Sequence, residues 1–126
     1  MWSKGPKKII GEQSERVARK YLEQQGLTYV TKNFHCRRGE IDLIMKDQRQ
    51  LVFIEVRYRS HSDYGSAADT ITRNKQRRII LAAQYYLHRH HLTEKVSGRF
   101  DVVAVDAFDD NNQRVTWLQD AFSADW

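Results

Sequence analysis

Between Gly39 and Arg59 the chain reads GEIDLIMKDQRQLVFIEVRYR, and Glu40, Asp42, Glu55 and Arg57 carry charge there among apolar neighbours. Carboxylates in such a run can bind a cation, share a proton or simply face water. Their spacing bears on the choice. The stretch alternates like two strands around a polar turn. With Asp47 to Gln50 as the loop, Met45 faces Val52, Leu43 faces Ile54 and Ile41 faces Val56. Those six residues then share one apolar face, and a slip by one residue would scramble it. The other face pairs Ile44 with Phe53, Asp42 with Glu55 and Glu40 with Arg57. Residues directly opposite in a sheet stand about 5 Å apart at Cβ. Two acids so placed repel, unless a proton, nearby cations or a bound metal relieve them.

Strand acids most often face solvent. Here Ile44, Leu51 and Phe53 share the face with the acids, so that face is not simply wet. Oxygen ligands of this kind suit Mg²⁺ or Mn²⁺, and magnesium keeps several waters beside one or two carboxylates. Such a cation activates water and neutralises charge on phosphate oxygens. The physical reading is a metal-dependent phosphodiester site, with Arg57 and Arg59 at its rim.

The elements that must position these groups follow from periodicity. Residues 9–25 read as a helix with an apolar stripe of Val17, Ala18, Tyr21 and Leu22, stopped at Gly26. Glu15 lies at the border of that stripe and can approach the acids, whereas Glu12 projects toward water. A strand over 27–34 leads through the basic loop HCRRG to the hairpin, with strands at about 39–46 and 51–58. A loop, RSHSDYGSAADT, precedes a long helix at roughly 70–91, capped by Asp69 or Thr70 and burying Ile79, Ile80, Ala83, Tyr86 and Leu87. RFDVVAVD is a further strand, in which Asp101 either buttresses a basic residue such as Arg99 or sits near the acids, the structural role being the expected one. QRVTWLQDAF is a final edge strand. The expected fold is α/β, a mixed β-sheet flanked by helices in the order α-β-β-β-α-β-β. It forms one domain over 9–126, after a flexible basic arm over 1–8.

The chain has 21 Lys and Arg against 16 Asp and Glu, a net charge of +5. A basic balance favours a polyanionic partner, nucleic acid first among them. The bases cluster at Arg37 and Arg38, at Arg57 to Arg59, and at Arg73, Lys75, Arg77 and Arg78. The last group opposes the dipole of its own helix, which points to a role outside the fold. One cysteine, Cys36, excludes an intrachain disulfide and a Cys-rich zinc site. No apolar run approaches the roughly 18 residues of a membrane span. The expected location is the cytoplasm, with no membrane partner. The tract His88 to His91 reads as a helix terminus rather than a metal site.

An acid on the second strand followed by Glu-x-Lys on the third resembles the PD-(D/E)XK nuclease superfamily and its restriction-endonuclease-like fold. The whole chain from Gly11 to about Phe122 resembles the YraN family of small bacterial proteins, which are similar to Holliday junction resolvases. The marks are GEQSERVARKYL, GEIDLI, VFIEVRYR, Tyr64-Gly65, Lys75 and RFDVVAV. The resemblance implies that Glu15, Asp42 and Glu55 bind Mg²⁺ or Mn²⁺ with the Val56 carbonyl. It further implies that these acids and Arg57 act on a DNA phosphodiester, branched DNA included. Arg57 stands where the superfamily has lysine, and arginine is a poor general base because it keeps its charge. Two functions therefore stand side by side. One is an endonuclease-like enzyme, dimeric if it cuts two strands symmetrically. The other is a non-catalytic nucleic-acid-binding protein with a degenerate nuclease site. Nucleic-acid contacts are expected at Arg37, Arg38, Arg59, Arg73, Lys75, Arg77 and Arg78.

Overall fold

The structure is a computed structural model that describes residues 7–60, 71–107 and 113–124. Its elements are α1 (Lys7–Gln24), β1 (Thr28–Cys36), β2 (Gly39–Asp47), β3 (Gln50–Ser60), α2 (Arg73–Arg89), β4 (Gly98–Ala107) and β5 (Gln113–Phe122). The order α-β-β-β-α-β-β and the α/β class are those expected. The strands form one mixed sheet in the order β1-β2-β3-β4-β5, antiparallel except where β3 and β4 run parallel. A parallel pair needs a crossover, and α2 supplies it.

Local chemistry sets the element ends. Gly26 adopts φ +100°, and the Leu27 N–H donates to the Leu22 carbonyl at 3.0 Å, which closes α1. α1 opens at Lys7, so it takes in the last two residues of the arm expected over 1–8; residues 1–6 lie outside the described residues. The cap of α2 is Thr72, whose hydroxyl accepts the Lys75 N–H at 3.1 Å. The helix therefore starts three residues later than expected. Asp69, Thr70 and the Tyr64-Gly65 pair lie outside the described residues.

The hairpin holds the predicted register, from Leu43 opposite Ile54 to Asp47 opposite Gln50. The loop is shorter than expected: Asp47 and Gln50 pair, and Gln48 turns the chain at φ 58°. Leu43, Met45, Val52 and Ile54 pack under α1 against Ala18 and Leu22. Ile44, Leu51 and Phe53 pack under α2 against Ile79, Ala82, Ala83 and Tyr86. Strict alternation fails at one place. Ile41 joins Ile44 on the α2 side instead of Leu43 on the α1 side. The ladder between β2 and β3 stops at Leu43, so the expected backbone pairs of Ile41 with Val56 and Glu40 with Arg57 do not form.

On β4, in register with Ile54, Asp101 is fully buried. Arg99 donates to both its oxygens at 2.9 Å, the Trp117 indole N–H donates at 2.8 Å and the Asp120 N–H at 2.9 Å. Arg99 also reaches Asp47 and Gln50 at 3.3 Å, tying the closing pair of the hairpin to β4. The pairing of Asp101 with Arg99 is the one expected.

Two glycines separate propensity from packing. Gly11 lies in α1 with open space where a Cβ would stand, whereas a Cβ on Gly39 would collide with the Arg78 carbonyl oxygen of α2. Gly11→Ala is expected to stabilise the fold by about 0.5–1 kcal/mol. Gly39→Ala is expected to destabilise it by about 1–3 kcal/mol, because a close backbone approach must open. Urea denaturation of the two variants checks both signs.

Candidate functional site

The site lies just past the end of the β2–β3 pairing at Leu43. Asp42 falls between the β1–β2 pairs Lys32 with Leu43 and Phe34 with Ile41. Freed from the ladder, the backbone N–H of Val56 donates to the Asp42 carboxylate at 2.8 Å. A side chain thus replaces a strand as hydrogen-bond partner, and that bond holds Asp42 against β3. Glu55 follows Leu51 and Phe53 on the α2 side and is only 4% exposed. The two acids meet as expected, although by side chains rather than as an ordinary ladder pair.

Burial is the main reason their protons are held tightly. It pushes the Glu55 carboxyl up to about 8, and the charge of Asp42 adds to the effect; Lys75 and Arg57 oppose it. Burial raises Asp42 too, while the Val56 N–H and a hydrogen bond from Glu55 pull it back. The pair therefore shares a proton across the hydrogen bond between the two carboxyl groups, and its titration belongs to both. Two cations approach the same Glu55 oxygen: Arg57 at 3.5 Å and Lys75 at 3.9 Å. Arg57 comes from β3 itself, and Lys75 comes from the first turn of α2. Lys75 thus points at the acids rather than outward with its helix neighbours.

Glu15 reaches the site from the α1 side. It is half-buried, and burial followed by the charge of Asp42 lifts its carboxyl to about 6. With the Asn33 amide nitrogen turned toward it, that nitrogen lies 3.2 Å from both Glu15 oxygens. Asn33 adopts φ 52° within β1, a conformation that asparagine tolerates better than most residues. Sequence reading missed this residue. The available signal was an asparagine inside an otherwise strand-like run, where it is disfavoured. Among the described residues, no three His, Cys, Asp or Glu side chains are grouped so as to hold a metal ion, and that includes the His88 to His91 tract. The acids are thus arranged as a close pair, Asp42 with Glu55, and a third, Glu15, coupled to Asp42 through its charge.

The basic residues sort themselves by contact. Arg37 and Arg38 form the exposed β1–β2 turn. Gly39, directly after them, packs on the α2 backbone at Arg78, so the turn is held beside α2. Arg73, Arg77 and Arg78 are exposed on α2. Two clusters far apart in sequence therefore make one basic ridge beside the acids. Arg59 differs: its guanidinium donates to both oxygens of Asp106, at 2.7 and 3.0 Å. Glu40, expected opposite Arg57, pairs instead with His35 at 3.1 Å, on the exposed side of the β1–β2 ladder. Cys36 is a free thiol packed against the α2 side of the core. No helix among the described residues is long and apolar enough to cross a membrane.

Residues 14–105 match the model of a family described as uncharacterised protein family UPF0102. The chain is 47% identical over 117 residues to a UPF0102 protein of Coxiella burnetii, covering 93% of this chain and 94% of the relative. It is 49% identical over 112 residues to one of Nitrosococcus oceani, covering 89% and 90%. It is 42% identical over 114 residues to one of Legionella pneumophila, covering 90% and 94%.

The protonation of the acid pair sets a pH dependence with a definite sign. Glu55 binds its proton up to about pH 8 in the fold, against an ordinary value of 4.5. Between those limits the folded state holds more protons than the unfolded state, so stability falls as pH rises through that window. The melting temperature of the cation-free protein is expected to drop between pH 5 and pH 8.5. Asp42→Asn keeps an oxygen for the Val56 N–H and offers an amide to Glu55. It is expected to flatten the dependence and raise the melting temperature at pH 8 by roughly 4 °C or more. Calorimetric scans across that range check both. By the same logic Asn33→Ala removes a hydrogen bond that favours the charged Glu15, and carbon-detected NMR titration should place that carboxyl above its present value of about 6.

Proposed function

The chain belongs to family UPF0102, the YraN family, and on that premise we propose that it is a metal-dependent, endonuclease-like protein that hydrolyses phosphodiesters in DNA, branched DNA included. The observation that carries this reading is the acid pair: Asp42 and the buried Glu55 held together past the end of the β2–β3 pairing, with Arg57 and Lys75 on the same carboxylate. Asp42 has the Val56 N–H and Glu55 has the Arg57 and Lys75 cations, yet the two acids still hold each other through a hydrogen bond, as two carboxyl groups do only when a proton is shared.

The donor chemistry fits a hard divalent cation. Both ligands are carboxylate oxygens, and magnesium or manganese commonly takes one or two of them. Asp42 and Glu55 would hold Mg²⁺ or Mn²⁺, with the Val56 carbonyl and Glu15 in support. When bound, such a cation supplies Lewis acidity that activates water and neutralises phosphate oxygens. The protein's own residues do the rest. The Val56 N–H fixes the Asp42 carboxylate. Arg57, a planar guanidinium 3.5 Å from Glu55, is placed to bind a phosphate oxygen. Lys75 brings an ammonium to the acids from α2, so the superfamily's lysine chemistry has a counterpart here on a different element. The ridge of Arg37, Arg38, Arg73, Arg77 and Arg78 binds flanking phosphates. Symmetric cutting of a branched duplex would need two copies of the chain.

The second reading, a DNA-binding protein without cleavage, is favoured by one observation: Arg57 stands at the superfamily's lysine position. Cleavage decides between them. With Mn²⁺ or Mg²⁺ the wild type should cut four-way, flap or linear DNA. Asp42→Asn and Glu55→Gln should each lose at least about a hundredfold in rate, and Lys75→Ala at least about tenfold. Cutting that survives Asp42→Asn ends the enzymatic reading. Independently, calorimetric titration with Mn²⁺ at pH 7 should show binding with net proton release, and Asp42→Asn should abolish both. DNA binding without any cation binding would select the second reading.

A further inference from the structure

A cavity of about 330 Å³ opens between α1 and the edge strand β1, with Glu15 in its lining and Leu43 at its base. Its α1 wall carries Glu12, Glu15, Arg16 and Arg19, and its β1 wall carries Lys32 and Asn33. The four α1 residues are spaced as one stripe of a helix, which is why they line a single wall. Arg16 and Lys32 are exposed and stand on opposite walls. Arg19 is held in place: its guanidinium lies 3.6 Å from the Tyr29 ring centroid, and Glu23 accepts from it at 3.4 Å. Three cations therefore face two acids. Of the acids, Glu12 is exposed to solvent and Glu15 is occupied by Asn33.

The cavity is not an isolated depression. Asn33 and Lys32 sit on β1 beside the register position of Asp42. The same strand continues into the Arg37–Arg38 turn. From Lys32 to Arg37 a strand rises roughly 16 Å, room for several consecutive phosphates of one nucleic-acid strand. Cations thus lie on both sides of the acid pair: the ridge on the α2 side, and Arg16, Arg19 and Lys32 on the α1 side. A polyanion crossing two carboxylates needs cations before and after them, since the acids themselves repel it.

We propose that the cavity between α1 and β1 is a phosphate subsite, which seats the phosphate of a nucleic-acid strand next to the one facing Asp42 and Glu55. The inference rests on the reading of the acid pair as a phosphodiester site. Arg16 and Lys32 bind the phosphate oxygens, Arg19 forms the fixed end, and the strand runs along β1 from the subsite toward Arg37 and Arg38. The partner chemistry is a phosphate ester rather than a base, because the three cations of the lining outnumber its two acids and no aromatic ring lines it for a base to stack on.

Amide NMR titration of the full chain tests this without any cleavage. The probes are thymidine 5′-monophosphate, inorganic phosphate and thymidine. The two phosphates should shift the amides of Arg16, Lys32 and Asn33, and thymidine should not. The double variant Arg16→Ala with Lys32→Ala changes only exposed side chains and should weaken thymidine 5′-monophosphate at least tenfold. The charge-matched control, Arg89→Ala with Lys95→Ala, should bind like wild type. Unchanged affinity in the first variant, equal weakening in the control, or equal shifts with thymidine would each overturn the subsite. Its failure is separable from failure of the nuclease reading. Phosphate shifts at Arg16 and Lys32 in a protein that never cuts DNA uphold the subsite alone. DNA cutting without those shifts overturns the subsite alone.

Discussion

Two carboxyl groups cannot both ionise side by side in a buried place, and the architecture around Asp42 and Glu55 is organised by that constraint. Burial and mutual repulsion hold a proton on Glu55 up to about pH 8. The geometry that forces the pair together is itself costly. β2 has to leave the ladder, a backbone N–H has to be satisfied by the Asp42 side chain, and Ile41 has to change sides of the sheet. Each departure from a regular hairpin is compensated locally. Asp42 takes the orphaned Val56 N–H, and α2 receives Ile41 into its own cluster. Arg57 and Lys75 supply positive charge at the carboxylate that most needs it.

Asp101 makes the contrast. It too is a buried acid in the same sheet, yet every direction around it is filled by a donor: Arg99 through two bonds, the Trp117 indole and the Asp120 amide. Such a group needs nothing further and works as a fastener between β4, β5 and the hairpin end. Asp42 and Glu55 are donors' targets only in part and lean on each other for the remainder. A satisfied acid and an acid pair that shares a proton are different environments for the same residue type, and residue type alone does not reveal which one a position will have.

The cations obey a similar division. Arg59 is closed onto Asp106, and Arg99 onto Asp101, so both are part of the frame. Arg37, Arg38, Arg73, Arg77 and Arg78 face outward, although a basic helix start opposes its own dipole. Gly39 links these groups. Its missing side chain lets β2 begin against the α2 backbone, which sets the β1–β2 turn beside the helix and joins two basic clusters into one ridge. Lys75, between Arg73 and Arg77 in sequence, turns the other way, because a helix distributes neighbours around its axis.

Much of this was legible in the residues. Alternation in the hairpin determined its register, because one face had to be apolar on both strands, and helical spacing determined which sides of α1 and α2 face the sheet. The motif spacing marked Asp42, Glu55 and Glu15, and the alternation of β4 paired Asp101 with Arg99. What the sequence could not contain was the end of the ladder. Periodicity describes a ladder as if it continued, whereas the β2–β3 pairing ends at Leu43 and the Asp42 side chain takes the N–H of Val56, fourteen residues away. For the same reason Glu40 went to His35, Lys75 came to Glu55, and Asn33 came to Glu15. These are contacts between elements, decided by how close packing lets two backbones approach. Residue pattern alone determined the acids and their register; the tertiary structure decided which cations face them, because that depends on the distance between strand and helix rather than on spacing along either one.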